Sequence, residues 1–142
     1  GHAVGNEVLK IFSERVTQRL RSFDMVARTG GEEFIVVLPD TNKEIAMQVA
    51  ERLRLGICLT PFAVSAPAGQ IDVSVSVGVT LIESEDMSAD VVLKRADAEL
   101  YRAKQEGRNR SYLEGHGLIT SSDSPVVVES FEQITKKAEQ KG

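Results

Sequence analysis

From Ile71 to Leu81 every second residue is apolar. Ile71, Val73, Val75, Val77, Val79 and Leu81 fall on one side, and Asp72, Ser74, Ser76, Gly78 and Thr80 on the other. Successive side chains of an extended chain point to opposite faces. The segment is therefore predicted to be a half-exposed strand, and its apolar face has to be covered by a second layer.

The rest of the pattern supplies that layer. Val8, Leu9, Phe12, Val16 and Leu20 recur at helical steps, which predicts a helix over residues 6–20 with Asn6 as N-cap. Met25–Arg28 and Glu33–Leu38 are apolar runs separated by Thr29-Gly30-Gly31, which reads as a hairpin whose turn needs positive φ at Gly30 and Gly31. Ile45, Val49 and Leu53, with Ala46 and Ala50 beside them, predict a second helix over 42–55 that ends near Gly56. Pro61–Val64 pairs with the alternating strand around the loop Ala66-Pro67-Ala68-Gly69. Val92, Leu93, Ala96, Leu100 and Ala103 predict a third helix over 89–106, capped by Ser88 and stopped by Gly107. Ser111–Leu113 is a short final strand. Helices on a mostly antiparallel central sheet make an α/β (α+β) sandwich. The pattern changes after Leu113. Ser121–Pro125 is linker-like and Glu129–Gln140 is charged and weakly amphipathic, so residues 114–142 are expected to be linker, tail or the lead-in to another domain.

At 142 residues the chain is about one domain. Its net charge of −4 disfavours a nucleic-acid partner, although a few cations can still focus on a small phosphorylated ligand. The single cysteine, Cys58, sits among apolar residues and reads as a buried reduced thiol, consistent with the cytoplasm. His2 and His116 have neither metal nor triad spacing. No run of about 18 apolar residues spans a membrane and no secretory signal opens the chain. Both statements hold for this stretch alone if it is cut from a longer protein, and the parent can still be membrane-anchored elsewhere.

Three groups of residues could carry chemistry. In Gly30-Gly31-Glu32-Glu33-Phe34 two carboxylates follow a tight turn, and in a regular strand adjacent carboxylates face opposite ways. By spacing alone this is either an acidic, solvent-exposed hairpin tip or a tip with one carboxylate on a metal and the other facing elsewhere. Lys104 and Arg108 at the end of the third helix read alone as a solvated basic face. Arg21 and Asp24, in Arg21-Ser22-Phe23-Asp24, read alone as a helix-end cation and a turn former.

Arg28-Thr29-Gly30-Gly31-Glu32-Glu33-Phe34, with the apolar strand and Pro39-Asp40-Thr41 behind it, resembles the signature of the GGDEF family of diguanylate cyclases. Gly1-His2 and Gly5-Asn6-Glu7-Val8-Leu9 resemble the family's Gly-His-x-x-Gly-Asp-x-x-Leu segment. Val73–Val79 resembles its Val-Ser-x-Gly-Val strand. Leu93–Asp97, Leu100–Lys104 and Gly107-Arg108-Asn109 resemble its last helix and the turn after it. The resemblance covers about residues 1–113 and implies a GGDEF domain with the nucleotidyl-cyclase-like sandwich, its first strand missing.

The family joins two GTP molecules into cyclic di-GMP and releases two pyrophosphates, each of two facing domains holding one GTP. The resemblance implies that Glu32 is a ligand of Mg²⁺ (or Mn²⁺), that Gly30 and Gly31 let the backbone approach the nucleotide, and that Glu33 has an active-site role. It implies that Lys104 and Arg108 hold the GTP phosphates. Arg21 and Asp24 take the place of the family's inhibitory Arg-x-x-Asp motif, and Arg52 that of a further arginine of this product site. An arginine can fork onto guanine O6 and N7, and a carboxylate can accept from guanine N1–H and N2–H.

The chain departs from the family twice. The family's opening strand brings a second metal aspartate, and the loop and helix after it bring a phosphate-binding lysine and a base-binding asparagine. None of these is in the chain, so it is expected to lack turnover by itself. Asn6 stands where the family has the guanine-reading aspartate, and an amide offers one acceptor and a donor that guanine cannot use. The alternative is a module that binds cyclic di-GMP or GTP without making product. A domain that only dimerises is a third reading. The expected partners are GTP, cyclic di-GMP and a second copy of the chain, paired for catalysis or by ligand, with no nucleic acid and no membrane contact by this segment.

Overall fold

The computed structural model describes residues 2–65, 67 and 69–123. Gly1, Ala66, Ala68 and the charged stretch Glu129–Gln140 lie outside the described residues. Three helices are present: α1 (His2–Gln18), α2 (Lys43–Cys58) and α3 (Ala89–Gln105). The strands are β1 (Met25–Gly30), β2 (Glu33–Val37), β3 (Phe62–Ala63), β4 (Gln70–Ile71), β5 (Val77–Val79), β6 (Ser111–Leu113) and β7 (Gly117–Leu118), followed by a 3₁₀ turn at Ser121–Asp123. None of the described helices is long and apolar enough to cross a membrane.

The mixed α/β architecture is as expected, with the strands divided among three small sheets. β1 and β2 form an antiparallel hairpin, and β3 pairs antiparallel with β4. β6 is the middle strand of the third sheet, parallel to β5 and antiparallel to β7. α2 packs on one side of β5 and β6 and α3 also packs on both, so this sheet is sandwiched between helices.

α2 joins the two halves of the core. Val49, Leu53 and Ile57 bury against Val16 of α1 and Phe62, while Met47 and Ala50 bury against Leu113 and Ile119. The alternating segment contributes to both clusters: Val73 and Val75 pack on the first, Val77 and Val79 on the second. Only Ile71 and Val77–Val79 carry strand pairing, however, and residues 72–76 have no ladder partner among the described residues. A period of two reports which side is buried, not whether a neighbouring backbone is bonded.

Several expectations change in detail. α1 begins at His2, so Asn6 is not its N-cap but an exposed residue within the helix. α2 runs past Gly56 to Cys58 and is capped at its start by Asn42, whose Oδ1 accepts from the Ile45 N–H. Gly56 leaves room for Arg19, whose Nε would lie only 2.0 Å from an alanine Cβ there. The released carbonyls of the helix end accept from Arg15, which donates to Gly56, Ile57, Thr60 and Pro61 and lies 4.2 Å over the Phe62 ring. Cys58 is free but only half-buried. The packed body also runs past Leu113, because β7 pairs with β6 and Ile119 is 3% exposed. His116 lies 3.1 Å from Asp123, whose carboxylate also accepts from the Thr120 N–H.

Candidate functional site

The GGEEF residues form the tip of the β1–β2 hairpin. Gly30 pairs with Glu33, so the two-residue loop is Gly31-Glu32 rather than Gly30-Gly31. An extra residue, Thr29, bulges from β1 between the pairs Arg28–Phe34 and Gly30–Glu33. Both glycines take positive φ, 155° and 48°, which a side chain would resist. The tip is closed by Arg28, whose Nε donates to the Gly31 carbonyl at 2.9 Å. Glu32 is in the turn and Glu33 opens β2; both are exposed, and neither side chain has a partner among the described residues. Phe34, the next residue, turns to the other face and meets Phe12 of α1, ring centroids 4.6 Å apart.

That contact roofs a cleft of about 300 Å³ between α1 and the hairpin. Leu9, Phe12, Val16, Val26 and Phe34 make it apolar, and Lys10 and Arg28 add two cations. Asn6 lies about one turn before Leu9 and Lys10 on α1, with its amide in no hydrogen bond among the described residues. Glu32 is one exposed carboxylate, and among the described residues no three acidic, histidine or cysteine side chains cluster to hold a metal. The donor fits a hard divalent cation of the Mg²⁺ type, which takes one or two protein carboxylates and completes its shell with phosphate and water.

Lys104 lies in the last turn of α3 and Arg108 just beyond it, both exposed. Gly107, Arg108 and Asn109 all have positive φ, 127°, 64° and 45°, and the Arg108 N–H closes the helix on the Ala103 carbonyl at 2.8 Å. α3 packs on β5 and β6, whereas the hairpin meets α1 through Phe34 and Phe12.

Arg21 and Asp24 are brought into direct contact. The Arg21 Nε donates to both Asp24 oxygens at 3.1 and 3.0 Å, Nη2 donates to Oδ1 at 2.8 Å, and the Arg21 backbone N–H donates to Oδ2 at 2.8 Å. Nη2 also reaches Thr41 Oγ1 at 2.6 Å, and the guanidinium lies 4.5 Å over the Phe23 ring. The Asp24 side chain is 0% exposed and that of Arg21 30%. Asp24 thus orients the Arg21 guanidinium through its own oxygens. Arg21 Nη1 is without a partner among the described residues. Arg52, half-buried on α2, makes no hydrogen bond to either residue. Thr41 and Phe23 were not legible as parts of this site, though Thr41 follows the tight turn at Asp40, whose φ is 48°.

The pairing sets a pH dependence. Hydrogen bonds from Arg21 hold the Asp24 carboxyl below its usual range, and those from Arg95 do the same for Asp86. A carboxylate depressed on folding adds stability above its unfolded value of about 3.9, and this is lost as pH falls through the folded value. Asp24→Asn is thus expected to be less stable than wild type at pH 7, with the gap narrowing below about pH 4. Urea unfolding at pH 7, 5, 4 and 3 measures it, and a constant gap would show that the charge of Asp24 is immaterial.

Comparison with known proteins agrees with this arrangement. The family described as "Diguanylate cyclase, GGDEF domain" matches residues 1–110. The response regulator PleD of Caulobacter vibrioides is 40% identical over 109 residues, 77% of this chain and 24% of PleD. The diguanylate cyclase DgcP of Pseudomonas aeruginosa is 43% identical over 110 residues, 78% of this chain and 16% of DgcP. The chain thus spans about a quarter or less of these relatives. The crystal structure of the GGDEF domain of DgcB from Caulobacter crescentus, in complex with c-di-GMP, superposes with a TM-score of 0.73 at 26% identity, covering 80% of this chain and 66% of that one. With the family match, the exposed Gly-Gly-Glu-Glu hairpin tip and the sandwich behind it in agreement, this chain belongs to the GGDEF domain family.

Proposed function

We propose that this chain is the substrate- and product-binding part of a diguanylate cyclase, which condenses two GTP into cyclic di-GMP with release of two pyrophosphates. The observation that carries the reading is the hairpin tip, where two positive-φ glycines and an exposed Glu32, unpaired among the described residues, leave backbone and carboxylate open to a triphosphate. Lys104 and Arg108 hold phosphate charge by Coulomb attraction and hydrogen bonds. Asn6 meets the base beside the cleft, and its amide is a poorer match to guanine than a carboxylate. Glu33 lines the same tip. Mg²⁺ (or Mn²⁺), held by Glu32 and the phosphates, would supply neutralisation of the charge that develops in phosphoryl transfer. The remaining task is alignment: the 3′-hydroxyl of one nucleotide has to lie in line with the α-phosphate of the other, which two chains face to face provide. The resemblance puts a second metal carboxylate on a strand ahead of residue 1, so the 142-residue chain alone is proposed to have negligible turnover. Production of cyclic di-GMP from GTP and Mg²⁺ by a longer form carrying that strand, read by chromatography, tests the reading. A longer form that binds GTP and makes no product would favour the binding-module alternative, for which Asn6 is the supporting residue.

Product is proposed to bind separately at Arg21 and Asp24, with Arg52 as a second cation and Asp24 also orienting Arg21. The support is the pre-formed Arg21–Asp24 fork, with Nη1 unpartnered among the described residues, together with the c-di-GMP complex of the related DgcB domain. Arg21→Ala is expected to weaken cyclic di-GMP binding by about 1.5–3 kcal/mol, the worth of a hydrogen bond from a charged group. Isothermal titration on the chain itself measures this, and an unchanged affinity would move the product site to the GGEEF face.

A further inference from the structure

We propose that Arg54, anchored by the buried carboxylate of Glu51, is a positioning residue for the phosphate-binding end of α3: it holds the left-handed turn Gly107–Asn109 and thereby the guanidinium of Arg108. This inference rests on the reading of Arg108 as a phosphate ligand.

The turn is conformationally expensive. Arg108 and Asn109 both carry a Cβ and both adopt positive φ, a region that L-residues enter one at a time and seldom in succession. Such a segment persists when its surroundings over-determine it. Before it, the Arg108 N–H is tied to the Ala103 carbonyl at 2.8 Å; after it, the Arg110 carbonyl accepts from Val77 at 3.0 Å. Between these ties the turn is gripped from α2. Arg54 Nη1 donates to the Asn109 carbonyl at 3.2 Å and to its Oδ1 at 3.1 Å, across 55 residues of sequence.

Arg54 is itself fixed at its other edge. Its Nε and Nη2 donate to the two oxygens of Glu51 at 2.7 and 2.9 Å. Glu51 is 5% exposed, and it also accepts from Ser111 Oγ at 2.8 Å, a residue with no exposure at all. A buried carboxylate needs pairing, and the Glu51–Arg54 pair alone, one turn apart on α2, would satisfy it. The arm that continues to Asn109 is not needed for that. What it accomplishes is to lock helix, turn and β6 into one unit at the point where Arg108 leaves the fold, while the Arg108 side chain stays exposed. A cation whose backbone is already ordered loses less freedom when it captures a phosphate. Lysine could keep the Glu51 pair as a point charge but cannot fork to both partners.

The test is a titration of the chain with pyrophosphate and with GTP plus Mg²⁺, and with cyclic di-GMP as the ligand of another surface. Arg54→Lys should weaken pyrophosphate and GTP about tenfold, leave cyclic di-GMP unchanged, and add nothing further in an Arg108→Ala background, because coupled residues are non-additive. Asn109→Gly, which tolerates the turn but removes Oδ1, should weaken the same two ligands less. Wild-type affinity in both Arg54→Lys and Asn109→Gly, with Arg108→Ala weakened, overturns the positioning role while sparing the phosphate reading. So does an Arg54→Lys loss that is equal for all three ligands or additive with Arg108→Ala, since either marks general structural damage. No effect of Arg108→Ala, or no binding of pyrophosphate and GTP by wild type, overturns the phosphate reading instead.

Discussion

Gly78→Ala is expected to cost about 3 kcal/mol or more of folding stability, the upper end for overpacking a close-packed interior. Gly78 is the middle residue of β5, paired with Tyr112 on β6. An alanine Cβ there would lie 2.3 Å from the Ala96 carbonyl oxygen, 2.3 Å from the Leu100 nitrogen and 2.9 Å from its Cα. All three atoms belong to the backbone of α3, so no rotamer change relieves the overlap and the helix has to move off the sheet. That shift would open the contact of α3 with β5 and β6 and reach the last turn of α3, where Lys104 sits, and the turn beyond it that carries Arg108. Stability of most domains is only about 5–15 kcal/mol, so the variant should unfold at clearly lower urea. Gly69→Ala is the control for a glycine in open space, though its φ of 72° adds local strain. A Gly78→Ala midpoint equal to wild type would mean that α3 and β5 are not packed as described.

Glu32→Ala is expected to lower cyclic di-GMP synthesis at least about a hundredfold in the longer form of the protein, the typical cost of deleting one group that stabilises transition-state charge. Glu32 occupies the loop itself, with Gly31 before it in a conformation a side chain would resist. Its neighbour Glu33 is committed to the ladder opposite Gly30 and cannot take its place without breaking the register. Exposure makes the substitution harmless to folding, so melting temperature should be unchanged and the loss should be one of chemistry. Cyclic di-GMP binding at Arg21 should also be unchanged, since that residue pairs with Asp24 and Thr41 at the other end of the hairpin. Retention of most of the synthesis rate in Glu32→Ala would remove this carboxylate from the mechanism.

Local chemistry was written plainly in the sequence. Helical spacing announced α1, α2 and α3, Gly30-Gly31 announced the hairpin, and Ser88 announced the start of α3, because each depends on neighbours within a few residues. The Arg-Thr-Gly-Gly-Glu-Glu-Phe run pointed to the family for the same reason: a turn that needs glycine and carries carboxylates is a short-range pattern.

What tertiary structure alone decided are the relations between distant residues. Alternation over Ile71–Leu81 marked the buried face correctly, yet only Gln70–Ile71 and Val77–Val79 are paired, since pairing depends on which backbone lies alongside. Gly56 looked like a helix stop and instead makes room for Arg19, because its neighbour comes from the distant segment just after α1. Asp24 read alone as a turn former, and its side chain is buried against Arg21, a matter of solvent exposure that residue spacing does not encode. Glu51 and Arg54 stand one helical turn apart on α2, and only folding brings Ser111 and Asn109 to them. Sequence determined the elements and the chemistry they carry; long-range packing, which brings groups dozens of residues apart within hydrogen-bond distance, determined which of those groups are free to act and which hold the others in place.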